Sequence, residues 1–154
     1  MDIETQRCLI RRFTPEDAAA LHAVLSDEAV MQYIEAPFSY SQTQAFIREA
    51  GLCHPPLVYA LLWKETECVI GHVIFHPIQK NEWEIGWILS RPYWGMGIAS
   101  ECTAALVARS HALGAASCLI ECHPAQTATA RIARKHGFGY AGTSDGCDVY
   151  RLIF

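Results

Sequence analysis

WILSRPYWGMGIASE, residues 87–101, joins an apolar strand to a helix through a proline, two adjacent aromatic residues and a Gly-x-Gly. Gly95 and Gly97 leave the backbone bare at the point where the helix begins. The first N–H groups of a helix have no partner within the helix, and they concentrate partial positive charge at one place. The segment therefore predicts a phosphate-binding turn.

The composition is typical of a single globular domain. The 154 residues are 51% hydrophobic and 18% charged, and the net charge is −4. This length suits one domain, residues 1–154, and the negative balance argues against a nucleic-acid-binding surface. No segment has the length needed to cross a bilayer, and the N-terminus lacks a secretory signal. We therefore expect a cytoplasmic protein without a membrane partner.

The cysteines and histidines do not form a pattern typical of a metal site. The seven cysteines are scattered without a Cys-x-x-Cys pair, which favours reduced, buried thiols. His72 and His76 share one face of a strand, and Cys118 and Cys122 repeat that spacing. Histidines or cysteines that share one face of a strand, without a second pair of ligands nearby, are more typical of core packing than of a metal site. The sequence predicts no metal site.

Apolar periodicity and capping residues divide the chain into strands and helices. Short connections allow only antiparallel pairing of the three middle strands, whereas the strand–helix–strand unit at 82–122 predicts a parallel pair. We expect an α+β fold with a mixed, mostly antiparallel central sheet, one parallel strand–helix–strand unit, and flanking helices. The predicted elements are a strand at 7–13, helices from Thr14, from 26 or 27, and from a capping box at Ser41, strands at 57–63, 68–75 and 82–89, a helix at 98–114, a strand at 117–122, a helix at 127–136, and strands at 138–143 and 147–154.

The glycine turn allows two other interpretations, a dinucleotide-binding loop and a purely structural turn. Gly95-x-Gly97-x-x-Ser100, with Glu121 about twenty residues on, is the spacing of a dinucleotide-binding fingerprint. That fold needs repeated strand–helix–strand units, and only one is present here. The glycines could also serve only a sharp turn into the helix, but this does not account for their place in the order of elements.

WGMGIA, residues 94–99, resembles the acyl-CoA loop of the GNAT acetyltransferase superfamily, usually written Gln/Arg-x-x-Gly-x-Gly/Ala. Trp94 stands at the Gln/Arg position, Gly97 at the glycine and Ala99 at the small residue. Tyr-Trp-Gly-x-Gly is similar to the RimJ/RimL branch, which acetylates N-termini of ribosomal proteins. RCLIRRFTPEDA, EIGWIL and TATARIARKHGF resemble other segments of that branch. The resemblance covers nearly the whole chain and implies the GNAT fold.

The resemblance also implies a set of residues that bind acetyl-CoA as cosubstrate. Loop amides would hold the pyrophosphate without a metal, and main-chain groups of the preceding strand would pair with pantetheine. A side-chain amide would contact the pantetheine arm, and a basic residue would meet the 3′-phosphate, although a helix cap or a solvated helix face explains these two as well. In that order, the residues are Trp94, Gly95, Met96, Gly97, Ile98 and Ala99; Ile88 and Leu89; Gln126; and Arg131.

Acetyl transfer requires a neutral amine, and amines are mostly protonated at pH 7. Strand alternation places Glu82, Glu84 and Gly86 on one face, and we predict that Glu84 is the base, acting through a water. A solvated or ion-paired role for these carboxylates is equally compatible with the pattern. Thr129, at the branch's serine position, either donates to the leaving sulfur or caps the last helix. Ala133 stands where many relatives have a tyrosine acid, which excludes a tyrosine mechanism there.

These expectations combine into an acetyl-CoA-dependent N-acetyltransferase, a monomer or homodimer, in which a primary amine attacks the thioester directly in a ternary complex. The acceptor would be a protein N-terminus or a small amine. Its wall is expected from residues 27–51 and the final hairpin. There, a partly aromatic pocket with one carboxylate for a cation, or simple packing, is suggested by Met31, Tyr33, Glu35, Phe38 and Tyr40. The alternative is a catalytically idle acyl-CoA-binding domain that serves as a sensor or scaffold.

Overall fold

The computed structural model describes residues 2–79 and 81–154, and over these residues the chain forms an eight-stranded sheet with five helices. The strands are β1 (Ile3–Glu4), β2 (Cys8–Arg11), β3 (Val58–Trp63), β4 (Cys68–Gln79), β5 (Glu82–Leu89), β6 (Ser117–Cys122), β7 (Gly139–Ser144) and β8 (Cys147–Ile153). The helices are α1 (Ala18–Leu25), α2 (Glu28–Met31), α3 (Tyr40–Phe46), α4 (Ile98–Ala112) and α5 (Thr127–Lys135).

The sheet is mostly antiparallel and has the order β1-β2-β3-β4-β5-β6-β8-β7. Its one parallel pair is β5–β6, which α4 connects, and this confirms the predicted fold class. That pair extends only from Glu82 opposite Ser117 to Glu84 opposite Leu119. Beyond Glu84 no pairing joins the two strands, so a gap opens between the end of β5 and the end of β6.

Alternation along the strands builds a core on each face of the sheet. Ile85 and Leu89 of β5 belong to the core beneath α4 and α5, whereas Ile88 packs with the core beneath α1–α3. In α4, the fully buried residues Ile98, Cys102 and Leu106 recur every four positions, as an amphipathic helix requires. These two layers hold β5 in the centre of the molecule.

The helix starts show one correct and one incorrect prediction. The capping box at Thr14 is confirmed: the Asp17 carboxylate accepts the Thr14 N–H at 2.8 Å, ahead of α1. The box predicted at Ser41 is wrong, because α3 begins at Tyr40 and its N-cap is Ser39. Ser39 has extended backbone, and its hydroxyl accepts the N–H of Gln42 at 3.2 Å. Ser39 and Ser41 lie within one turn of each other, and only Ser39, whose backbone is extended, can cap the helix.

The cysteines of the described residues are all free thiols. No three His, Cys, Asp or Glu side chains of residues 2–79 and 81–154 cluster in a way that could hold a metal ion. Over the same residues, no helix has both the length and the apolar character needed to span a membrane.

Candidate active site

The glycine turn joins β5 to α4 through a short 3₁₀ turn at Arg91–Tyr93. Gly95 has φ +72° and Gly97 has φ +80°, the left-handed region that favours glycine. Gly97 is the N-cap of α4, so the unpaired first N–H groups of a 15-residue helix gather at this turn. The left-handed glycines and the helix start lie where the sequence predicts them, and phosphate binding at this turn stays a prediction.

The main chain of β5 presents hydrogen-bonding groups to the gap between β5 and β6. Ser90 donates its N–H to β4 at 2.7 Å, and hydrogen-bonded pairs alternate along an antiparallel ladder. Ile88, opposite His72, is therefore also bonded to β4. The prediction that Ile88 offers free main-chain groups is corrected: Trp87 and Leu89 are the residues whose peptide groups point into the gap.

Trp94 ties the turn to the end of β5. Its indole N–H donates to the Leu89 carbonyl at 2.8 Å, while the ring remains 47% exposed. That carbonyl is thus already engaged, and the Leu89 N–H is the group left facing the gap. The bond fixes the position of the turn relative to the strand.

A cleft of about 250 Å³ occupies the gap between β5 and β6. Four of the predicted site residues line it, and the remaining predicted residues belong to the turn, to the end of β5 or to the outer face of α5. The four are Glu84, Ile88, Gln126 and Thr129, and Gly86 of the same strand face lines the cleft beside them.

The two glutamates of β5 have different surroundings. Glu82 accepts hydrogen bonds from Ser117 at 3.1 Å and from Arg151 at 2.6 Å, which makes it a structural ion pair. Glu84 lines the cleft, and its Oε2 lies 3.4 Å from Nε2 of His76 on β4. The hydrogen bond with Glu84 raises the pKa of His76. Of the two, Glu84 is the carboxylate placed for chemistry.

Glu121 is a second carboxylate in the cleft, and its spacing from the glycines in the sequence had indicated only a role in dinucleotide binding. It lies near the end of β6, opposite the end of β5. Partial burial and the negative charge of Glu84 raise the pKa of Glu121. The sequence carried a signal for this placement of Glu121, because parallel neighbouring strands bring their ends to the same edge of a sheet.

Comparison with known proteins decides the family. A family model described as acetyltransferase (GNAT) domain matches residues 7–139, most of the chain. The chain belongs to the GNAT family. Its relatives include the uncharacterized N-acetyltransferase YnaD of Bacillus subtilis (strain 168), 28% identical over 150 residues, which are 96% of this chain and 88% of YnaD. The protein is an N-acetyltransferase, and GNAT acetyltransferases use acetyl-CoA.

Solved GNAT structures share the whole fold. An acetyltransferase of this family from Bacillus anthracis has a TM-score of 0.89 and 26% identity, over 99% of this chain and 98% of that one. RimL, described as a ribosomal L7/L12 alpha-N-protein acetyltransferase in complex with coenzyme A, has a TM-score of 0.85 and 22% identity, over 100% and 98%. The predicted GNAT fold is thereby confirmed.

The residues at and near α5 to which the GNAT resemblance gives a role lie in different environments. Thr129 is the third residue of α5, is half-buried, and has no hydrogen-bond partner within residues 2–79 and 81–154, so the predicted cap is wrong. Gln126 stands at the N-cap, but its side chain accepts the His123 N–H at 2.8 Å instead of capping the helix. Arg131 lies exposed, while Ala133 is fully buried in the core. Thr129 lines the cleft, and its hydroxyl has no hydrogen-bond partner among the described residues.

The aromatic residues predicted for the acceptor wall lie in different places. Tyr33 lines the cleft and stacks on His123 with ring centroids 5.1 Å apart. Met31 is buried in the core, and Phe38 packs on Phe46, so these two are packing residues. The Tyr33–His123 stack joins the segment after α2 to the loop before α5, and so forms one side of the cleft.

Proposed function

We propose that this N-acetyltransferase transfers the acetyl group of acetyl-CoA to a primary amine by direct attack in a ternary complex. The observation that carries the proposal is the cleft between β5 and β6, which is lined by Glu84, Glu121 and Thr129, while β5 itself leads on into the glycine turn. Two carboxylates suit a cationic amine, and the turn suits the phosphates of a CoA thioester. A single site thus accommodates both substrates.

In this mechanism the main chain holds the cosubstrate. The amides of residues 95–99 contact the pyrophosphate, and the free groups of Trp87 pair with pantetheine as an added strand would. The Leu89 N–H is then able to polarise the thioester carbonyl. Gln126 contacts the pantetheine arm, and Arg131 on the outer face of α5 meets the 3′-phosphate.

The cleft side chains serve the proton transfers. Glu84 accepts a proton from the ammonium group through a water, and the neutral nitrogen attacks the thioester carbon. The C–N bond forms and the C–S bond breaks. The second proton that the attacking nitrogen loses passes through water to the CoA thiolate, so CoA leaves as the thiol. The Thr129 hydroxyl donates a hydrogen bond to that sulfur. Its help is modest, because a thiol with a pKa of about 8.5 is already a tolerable leaving group.

The acceptor class is a protein N-terminus or a small amine. The negative charge of Glu84 and Glu121 favours a cation, and the open side of the cleft beside Tyr33 leaves room for a chain to extend outward. The RimL neighbour bears the name of an N-terminal acetyltransferase of a ribosomal protein, which supports the same class. The absence of a tyrosine at Ala133 favours the second candidate, an acyl-CoA-binding domain without turnover.

Thiol release from acetyl-CoA, measured with a panel of N-terminal peptides, polyamines and aminoglycosides, tests the proposal. Glu84→Gln keeps the shape and removes the base, so turnover should fall about a hundredfold at neutral pH and recover in part at high pH, where amines lose their proton unaided. Glu82→Gln is the matched control on the same strand face and should affect stability only. An unchanged pH profile in Glu84→Gln would move the base to Glu121, and CoA binding without thiol release would favour the idle domain.

A further inference from the structure

Arg7 and Glu101 link the start of the chain to the first turn of α4. The Arg7 backbone N–H donates to Oε1 of Glu101 and its Nε donates to Oε2, both at 2.8 Å. The two side chains are 33% and 17% exposed. Main-chain and side-chain bonds to one carboxylate fix the guanidinium in a single orientation beside the glycine turn.

The outer end of the guanidinium faces Gly97. Nη2 of Arg7 lies 3.6 Å from the position that a Cβ on Gly97 would take, and among the described residues beyond the turn itself no other atom lies within 4 Å of that position. Glu101 engages only Nε, and Nη1 and Nη2 have no hydrogen-bond acceptor in the described part of the chain. Four N–H donors of Arg7 are therefore available at the start of α4.

The charges at this point favour an anion despite the glutamate in the first turn of α4. Partial burial alone would raise the pKa of Glu101, but hydrogen bonds from Thr5 and Arg7, together with the charge of Arg7, hold it below its usual range. Glu101 is thus a carboxylate neutralised by Arg7. The partial positive charge of the helix N-terminus remains uncancelled, and the guanidinium fork adds donors beside it.

We propose that Arg7 binds the pyrophosphate of acetyl-CoA through its Nη groups, with Glu101 acting as the positioning residue. The inference rests on the proposed function, and it adds to the glycine turn a charged contact from a distant segment. A guanidinium forms paired, charge-assisted bonds with phosphate oxygens, which loop amides alone do not provide. Cosubstrates that carry the pyrophosphate should depend on Arg7, and cosubstrates that lack it should not.

The test compares acetyl-CoA with S-acetylpantetheine, which has the same thioester but no phosphate. For Arg7→Gln we expect the KM for acetyl-CoA to rise about tenfold or more, with kcat within about twofold and with unchanged kinetics for S-acetylpantetheine. The dissociation constants of CoA and pantetheine, measured directly, should change in the same way. Arg11→Gln is the matched control, because Arg11 at the end of β2 forms a 2.8 Å ion pair with Asp17, ahead of α1, and has no contact with Gly97. It should not distinguish the two cosubstrates.

Other results overturn the inference. An equal rise in KM for both cosubstrates, or no rise for acetyl-CoA, makes Arg7 a purely structural partner of Glu101. Arg7→Lys keeps the charge and loses the fork, so a smaller, selective loss of about threefold is expected, and it decides the question if Arg7→Gln does not fold. The proposed function is tested on the unaltered protein, because failure to bind CoA there overturns it whatever the variants do.

Discussion

At the scale of single residues, backbone geometry decides which positions tolerate a side chain. A Cβ on Gly71 would collide with the Ile88 carbonyl, so glycine is required there by the close approach of β4 and β5. A Cβ on Gly97 would make an ordinary 3.6 Å contact with Nη2 of Arg7, so its requirement comes from φ +80° and, under the proposed function, from the phosphates at the turn. The first glycine is required by the packing of the sheet, and the second by the conformation of the turn.

Replacing Gly97 tests this distinction. In the unaltered protein, acetyl-CoA at a hundred times its Kd should add about 2.7 kcal/mol to the free energy of unfolding, which is roughly 5–10 °C in Tm, and NAD should add nothing. Gly97→Val should abolish the shift, because the branched side chain stands in the phosphate path. Gly114→Val is the control: Gly114 has φ +86° at the other end of α4, so the variant should lose stability and keep the shift. Stabilisation by NAD and not by CoA would restore the dinucleotide interpretation.

At the scale of elements, the separation of β5 from β6 creates the site. Pairing stops after three residues of β5, and the main chain beyond that point is free for a ligand instead of a strand. The bond from Trp94 to Leu89 fixes the turn at the end of this free edge. Trp94 therefore acts through the position of the turn, in place of the Gln or Arg of the usual motif.

Trp94→Phe removes the indole donor and keeps an aromatic ring. We expect the loss of about 1 kcal/mol, typical of one hydrogen bond, and a rise of about fivefold in the KM for acetyl-CoA, because the turn is no longer held against β5. Thermal melting and initial rates measure the two effects. Trp63→Phe is the control, since the Trp63 indole makes only a long, exposed 3.4 Å bond to Glu65. A Trp94 variant with the KM of the unaltered protein would show that the bond has no part in binding.

At the scale of the whole molecule, buried histidine controls stability in acid. His72 of β4 is buried on the side of the sheet that faces the helices α1–α3, where it packs on Phe46. Its Nδ1 has no hydrogen-bond partner in the described residues. Burial lowers its pKa to about 4 from 6.5. The unfolded chain therefore binds the proton first, so stability is present above pH 6.5 and is lost as the pH falls toward 4. His76 acts in the opposite direction, because its raised pKa stabilises the fold below pH 6.5 and that contribution is lost as the pH rises.

His72→Phe removes this acid-sensitive group. Between pH 7 and pH 5, the unaltered protein should lose about 2 kcal/mol through His72, which is roughly 4–8 °C in Tm, and the variant should not. The control is His111→Phe at an exposed position, where the ring stacked on Phe154 is retained. If the Tm of the unaltered protein and the Tm of His72→Phe fell equally between pH 7 and pH 5, His72 would not be the source of the acid sensitivity.

The sequence by itself determined the order of the elements and the place of the glycine turn. These follow from local rules: the Thr14 box starts a helix, alternation from Glu82 to Leu89 makes a two-faced strand, and glycines admit the left-handed turn before α4. Where the local rule was ambiguous, as between Ser39 and Ser41, the prediction missed by two residues, because only the backbone conformation decides which serine caps.

Only the tertiary structure decided which groups meet in the site. Arg7 and Glu101 are 94 residues apart, and Glu121 approaches Glu84 because β6 lies beside β5 and then separates from it. The free peptide groups belong to Trp87 and not to Ile88, since the pairing with β4 uses every second residue of β5. Register and long-range pairing are set by how whole elements pack, and no local pattern in the chain encodes that choice.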